Sequence, residues 1–470
     1  MKVFISGNFN VVHPGHIRLF KKARELGSTL IVGVNSSSAS GNIELFPDDE
    51  RVDAVGRNSL VDHVVLINRP LSEILQEVNP DIIVKGTEFE GKPTEEAEYA
   101  QKNNKLIIYS DGDPLFSESD LLRDSSYIGS HLVELSKLLS GVGFNKDRLS
   151  VIMDRIRQVR VTIIGDFIID EYINCEPLGL SQEDANVVLK PIDSAIFLGG
   201  AAIVARHARG LGANVTYLTS VSRSGEHLDL LQNTFDKEGI NLEFVEDAEK
   251  SQIVKKRFRV DGTSRFRLTE GSMGELSKVS QKEMLRIGEK LSKESNLVVF
   301  SDFNYGVISQ SLPAQLLQNR RPNTFFAADN QISSQIGDLT KYRGIDFLSA
   351  TEFEARVSMN SRNLGLAKLI TYLRKSLNVN NCILKLGRDG LIYESDNKQE
   401  NPKTGAIPAL NSRPVDVAGA GDSLLATSAL ALTAGATLHE ASILGSIAAA
   451  VQVGRIGNFP VTSDQILTVV

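Results

Sequence analysis

The chain has 470 residues and a formal net charge of −7. Apolar residues make up 41% and charged residues 23%, which excludes a disordered or fibrous chain and predicts two or three domains at roughly 150 residues each. No apolar run approaches the ~18 residues of a membrane span, and Met1–Ile5 leads into a strand pattern with no signal-peptide features, so a cytoplasmic enzyme with no membrane partner is expected. Cys175 and Cys382 are far apart and in no metal-ligand spacing, the usage of reduced thiols. Residues 1–125 carry 13 Lys+Arg against 20 Asp+Glu, and the remainder carries 38 of each. Neither part has the basic excess of a phosphate-backbone binder, so no nucleic-acid partner is expected. A nucleotide-sized anion needs only a few local donors.

In chain order, Val3–Gly7, Thr29–Val34, Val64–Ile67, Ile82–Val84 and Leu106–Tyr109 read as short buried strands separated by helical stretches. Residues 1 to about 122 therefore read as a small parallel βαβ sheet. Leu121–Gln158 has helical periodicity with a break at Gly141–Gly143 and reads as the connection between domains. Alternation resumes at Val161, with strands expected at 161–165, 215–221, 253–260, 265–269, 297–301, 324–328, 346–349, 382–386 and 391–395. Asp261-Gly262 is a hairpin turn signal. With the run 187–192 it predicts a small antiparallel sheet beside a larger α/β body.

The run Gly7-Asn8-Phe9-Asn10-Val11-Val12-His13-Pro14-Gly15-His16 follows a strand and opens a helix. Backbone N–H groups and the helix N-terminus there suit an anion. Two imidazoles three residues apart suit the charge that develops when a triphosphate is attacked at its α-phosphorus. This string resembles the HxGH signature of the nucleotidyltransferase superfamily. Asp49-Glu50-Arg51, Ile83-Val84-Lys85-Gly86 and Phe116–Leu122 follow in the family's order. The resemblance implies a Rossmann-like N-terminal domain with His13 and His16 as catalytic residues. Gly7, Phe9, Arg51, Lys85, Ser117 and Ser119 would form the phosphate site. Asn10 replaces the family's usual acidic residue, and Glu118 dilutes the Ser/Thr motif.

Asp416-Val417-Ala418-Gly419-Ala420-Gly421-Asp422-Ser423 precedes a helix of small residues. Glycines there let a backbone approach a phosphate, the helix start offers N–H donors, and Asp422 can accept a proton from an attacking hydroxyl. The string resembles the C-terminal signature of the ribokinase-like, or PfkB, carbohydrate kinases. Gly199-Gly200-Ala201-Ala202 and Leu384–Gly390 resemble further family motifs, over about 155–470. Gly165–Tyr172 and Ser301–Ser309 resemble the heptose-phosphate kinases, and both halves together resemble the bifunctional ADP-heptose synthases with the domain order reversed. The resemblance implies an α/β fold of two domains: a nucleotidyltransferase domain at 1–125, a helical linker at 126–150, and a ribokinase-like domain at 151–470 with a small antiparallel β lid. Asp422 would be the base, with Gly419, Ala420 and Gly421 as anion hole and Gly387 and Gly390 at the ATP. Asp166, Asp170, Gly199, Gly200 and Arg267 would hold the sugar, and Glu352 would act on Mg2+ indirectly. Substrates would be ATP and heptose 7-phosphate, giving ADP-heptose and pyrophosphate, with a homodimer formed through the lid. Alternatives are another sugar, CTP in the first domain, or partly degenerate domains that sense a ligand. Ile203, Tyr305, Ser349 and Asp329-Asn330-Gln331 depart from the family's Asn, Lys, Asn and Asp-Pro-Lys.

Overall fold

The structure, a computed structural model, describes residues 1–9, 14–37, 47–58, 60–86, 89–110, 145–180, 187–223, 225, 227–331, 337–361, 364–396, 404–411 and 414–469. The chain divides into two compact units. One takes 1–124 with 172–195 and 257–267, the other 125–171, 196–256 and 268–470.

In the first unit, strands β1 (Lys2–Gly7), β2 (Thr29–Asn35), β3 (His63–Ile67), β4 (Ile82–Gly86) and β5 (Leu106–Ser110) form a parallel sheet. Its order is β3-β2-β1-β4-β5. Successive side chains alternate between two cores. Val3, Ile5, Val32 and Val84 pack on one, and Phe4, Ile31, Ile67 and Ile83 on the other, as a sheet covered on both faces requires. The order reverses between β1 and β4, so the crevice for a ligand lies beyond Gly7 and Gly86 at their carboxyl ends.

The remaining strands are β6 (Arg160–Gly165), β7 (Phe167–Leu180), β8 (Val187–Gly200), β9 (Asn214–Ser222), β10 (Asn241–Asp247), β11 (Ile253–Val260), β12 (Thr263–Glu270), β13 (Leu297–Asp302), β14 (Phe325–Asn330), β15 (Phe347–Thr351), β16 (Asn381–Lys385), β17 (Leu391–Ser395) and β18 (Thr404–Ile407). Nine of them form one sheet, β10-β9-β6-β13-β14-β15-β16-β17-β18. It is parallel from β10 to β16 and antiparallel beyond. Its central strands are buried end to end, as β13 is, hence their unbroken apolar runs. The helices 420–433 and 438–453 are buried on nearly every side, which explains their Ala- and Ser-rich, weakly amphipathic sequences. Four strands form a second sheet, β12-β11-β7-β8. Asp261 and Gly262 both take positive φ, 50° and 75°, the hairpin geometry that the Asp-Gly pair predicts.

β7, β10 and β18 escape the strand pattern. β10 is an edge strand with only Val245 and Asp247 buried, β18 has four residues, and in β7 the apolar start Phe167–Ile169 is followed by Asp170 and Glu171, which blur its periodicity. Of the expected connection, residues 121–144 lie outside the described ones, and a helix spans Lys146–Ile156.

Carboxylates cluster at the carboxyl ends of the central strands. Asp302, which closes β13, is fully buried and pairs with the buried Lys341. It accepts hydrogen bonds from Tyr342 Oη (2.5 Å), Asn330 Nδ2 (2.7 Å) and the Asn304 N–H (2.9 Å). Removing one partner of such a buried pair strands the other's charge. Asp302→Ala is therefore expected to lose about 3–5 kcal/mol of stability in urea denaturation. A loss below about 1 kcal/mol, the scale of an exposed pair, would contradict this account.

Candidate active site

The turn 416–419 hands the chain to the helix 420–433. Gly419 takes φ 77° at the cap, a left-handed conformation that glycine adopts without strain. The first N–H groups of the helix are thereby presented outward. Asp422 sits in that first turn, 8% exposed, and its Oδ1 accepts from Gln331 Nε2 at 3.0 Å. Burial first, then the charge of Asp329, pushes its carboxyl up from 3.8 to about 7, with Lys385 opposing. Asp170 and Lys255 also act on it. A carboxylate of that strength can take a proton at neutral pH, as a general base must.

Beside it, Lys385 at the end of β16 forms a buried ion pair with Asp329 at the end of β14. A Cβ placed on Gly421 would lie 3.3 Å from Lys385 Nζ, so the ammonium rests against the turn. Burial pulls this lysine down, but Asp329 and Glu354 outweigh it and hold its pKa above the ordinary value. Glu354 is buried and closes a capping box with Thr351. Glu352 pairs with Arg356 at 2.7 Å.

Asp170 accepts from Asn458 Nδ2 at 2.8 Å and packs on Gly199, where a side chain would collide with it. Gly200, at φ 62°, caps the next helix against the Asp166 backbone. The Asp166 carboxylate is taken up by the loop after β13. It accepts from the N–H groups of Phe303 (2.9 Å), Tyr305 (3.4 Å) and Val307 (3.2 Å). Burial and the charge of Asp302 push it up to about 6. A small, narrow cleft lies alongside, lined by Asp166, Lys250, Tyr305, Ser220, Ser222, Ser251 and Ser272. Ile203 is fully buried. Tyr305 and Phe303 present their rings to Lys255, each 5.1 Å from the ammonium. Arg257 and Arg259 share a face over the Tyr172 ring at 5.3 and 5.4 Å. Arg267 is exposed on β12. Gly387 (φ 61°) and Gly390 (φ 89°) shape the turn after β16.

In the first unit, Gly7 ends β1 and Phe9 is buried in the core, its ring 4.7 Å from that of His16. His16 opens the 14–26 helix. His13, Asn10, Ser117, Glu118 and Ser119 lie outside the described residues. The two cations of the expected phosphate site are engaged by protein. Arg51 is 1% exposed and donates to Asn8 O (2.6 Å), Asn35 O (2.8 Å), Ser37 Oγ (3.1 Å) and Asp48 Oδ1 (2.7 Å). In this structure it ties loops together. Lys85 pairs with the buried Glu96, which also accepts from Ser6 Oγ. Burial pushes Glu96 up, but Lys85 and Ser6 outweigh it and hold its pKa below the ordinary value.

The model of the pfkB family carbohydrate kinases matches residues 159–462. The chain belongs to this family. A cytidylyltransferase-like model matches residues 4–134. Among curated proteins, the Bifunctional protein HldE of Nitratiruptor sp. is 25% identical over 315 residues, covering 65% of this chain and 64% of that protein. HldE of Campylobacter jejuni subsp. doylei is 28% identical over 312 residues, with the same coverage. The chain thus spans just under two thirds of the length of these relatives. Phosphofructokinase-2 of Escherichia coli (TM-score 0.55, 16% identity, 66% of this chain and 97% of that one) and a ribokinase of Arabidopsis thaliana (0.53, 17%, 66% and 98%) share the fold.

Within this pfkB member, pattern reading marked Asp329-Asn330-Gln331 and the Leu384–Gly390 segment but gave Asp329, Gln331 and Lys385 no role at the site, and it passed over Glu354. The signal was a charge exchange: position 331 lacks the family's lysine, and a lysine stands at 385 on β16, two strands away from β14.

The raised carboxyl of Asp422 carries a sign. The folded state holds this proton more tightly than the unfolded state between about pH 4 and 7. Its contribution to stability is complete below pH 4 and is lost as pH rises through 7. Asp422→Asn is therefore expected to flatten the fall in stability from pH 5 to 8, by up to about 3 kcal/mol, in pH-dependent denaturation. Parallel curves for the two proteins would contradict it.

Proposed function

We propose that the chain makes a nucleotide-activated sugar in two steps, with a nucleotidyltransferase domain at 1–125, a connection at 126–150 and a carbohydrate kinase domain at 151–470. The observation that carries the kinase step is Asp422, buried at the start of the 420–433 helix and held by Gln331. Asp422 takes the proton of the sugar O1 hydroxyl as that oxygen attacks the γ-phosphorus of ATP. The bond to ADP breaks, and the N–H groups of 419–421 receive the charge on the transferring group. Asp170 and the serine-lined cleft beside Asp166 suit a polyol, and Asp166 holds the 303–307 loop that frames it. Heptose 7-phosphate is the proposed substrate, supported by likeness to the HldE proteins.

Asp329 is engaged by Lys385 and Glu352 by Arg356, and among the described residues no group of three or more acidic, His or Cys side chains could hold a metal ion. These residues fit an Mg2+ that would arrive with ATP and keep its waters, with Glu352 reaching it indirectly. When bound, the ion would supply charge neutralisation to the phosphates.

In the second step an oxygen of the sugar 1-phosphate attacks the α-phosphorus of ATP and pyrophosphate leaves. His13 and His16 stabilise the charge that develops, and Lys85 exchanges Glu96 for phosphate. The Lys85–Glu96 pair also favours a second reading, in which the first domain holds nucleotide without turning it over. Exposed apolar residues on the small sheet, Leu178, Val187 and Phe266, support pairing of two copies. A cytoplasmic setting accords with the finding that, among the described residues, no helix is long and apolar enough to cross a membrane.

With a panel of sugar phosphates, wild type is expected to release ADP with heptose 7-phosphate, and Asp422→Asn to lose about 10²–10⁴ in rate. His16→Ala is expected to stop pyrophosphate release alone. Turnover of unphosphorylated sugars only would remove the heptose-phosphate reading. Absence of pyrophosphate in wild type would favour the second reading of the first domain.

A further inference from the structure

Lys385 and Gln331 stand in an unusual relation. The resemblance to Asp-Pro-Lys puts a lysine at 331, directly after β14. Here 331 is glutamine, and its amide donates to Asp422 Oδ1 at 3.0 Å. The cation comes instead from Lys385, the last residue of β16, whose Cα partner on β15 is Thr351. Its side chain is only 12% exposed. Its ammonium touches Asp329 on one side and lies against Gly421, in the anion-hole turn, on the other.

We propose that Lys385 is a catalytic residue of the kinase step, contacting the transferring phosphoryl group in place of a lysine at 331, while Gln331 positions the base. The proposal rests on the kinase reading above. An ammonium beside the N-terminus of a helix faces the positive end of the helix dipole, an unfavourable placement unless an anion fills the space between. Asp329, near the end of β14, and Glu354, on the helix 352–358, keep the lysine charged. The same ammonium lies against Gly421. A phosphoryl group entering there meets backbone N–H donors and a desolvated cation together, the arrangement that stabilises charge as it develops. The exchange also separates two tasks. A lysine at 331 would put a full charge in hydrogen-bond contact with Asp422 and lower its basicity strongly, whereas the neutral amide of Gln331 orients the carboxylate at a smaller cost, and Lys385 opposes the rise of Asp422 through its charge alone.

The competing explanation is structural: Lys385 merely neutralises the buried Asp329. A double-mutant cycle on the full chain separates the two. Lys385→Met is made alone and in an Asp329→Asn background, and ADP formation with heptose 7-phosphate, ATP affinity by titration calorimetry, and the melting temperature are measured for each. With Asp329 neutral, a lysine that only neutralises it has nothing left to do. The proposal expects Lys385→Met to lower kcat by roughly 10²–10³-fold even in the Asp329→Asn background. ATP affinity is expected to change much less, and Lys385→Arg to retain more activity than Lys385→Met. Adding Gln331→Lys to Lys385→Met is expected to recover part of the rate. If Lys385→Met alone fails to fold, the double variant, which buries no unpaired charge, still gives the answer. Equal kcat for Asp329→Asn and the double variant would overturn the proposal while leaving the kinase reading intact. A wild type that forms no ADP with any sugar would remove both.

Discussion

Four carboxylates sit nearly out of water around one end of the nine-stranded sheet: Asp166, Asp302, Asp329 and Asp422. An isolated buried charge costs more than a domain's whole stability, so each must be paired, hydrogen-bonded or protonated. The structure uses all three answers. Asp302 has Lys341 and three hydrogen-bond donors. Asp166 has three backbone N–H groups. Asp329 has Lys385. Asp422 has one glutamine amide and the start of a helix, and its pKa rises to about 7. Among the described residues Asp166 and Asp422 have no ion pair, but the Asp166 carboxylate is taken up by three backbone N–H groups, and Asp422, with a single amide, is the one proposed for proton transfer. The other three fix the loops and strands around it.

Much of this was legible in the sequence. Buried parallel strands announce themselves as short β-branched runs, and Gly200, Gly387, Gly390 and Gly419 mark turns with the positive φ that glycine makes cheaply. Asp261-Gly262 gave its hairpin, and period-2 spacing put Arg257 and Arg259 on one face. The partners of the buried carboxylates were not legible, because they come from strands and loops far apart in the chain. Lys385 and Asp329 are 56 residues apart and Lys341 and Asp302 about 40. A lysine ending a strand carries no local sign that it faces a carboxylate two strands away. The same limit applied to Arg51 and Lys85. Their motifs mark phosphate-binding cations, but neighbouring acceptors that no spacing reveals engage both in this structure.

The two units treat their cations differently. In the first, Lys85 is neutralised by Glu96 and Arg51 by Asp48 and backbone carbonyls, which leaves an anion to compete with protein for them. In the second, Lys385 lies against Gly421 and is held charged by Asp329 and Glu354. That contrast makes the kinase site the better preorganised of the two for phosphate chemistry.

The account turns on Asp422 being a base made strong by burial. The most direct test is the pH dependence of kcat/KM for phosphoryl transfer, which reports the ionisation of the free enzyme. The expected profile is level above pH 7 and falls tenfold per unit below it, a limb that belongs to Asp422. A rate that stays level down to pH 5 would show that this carboxylate ionises like an exposed one, and would contradict the account.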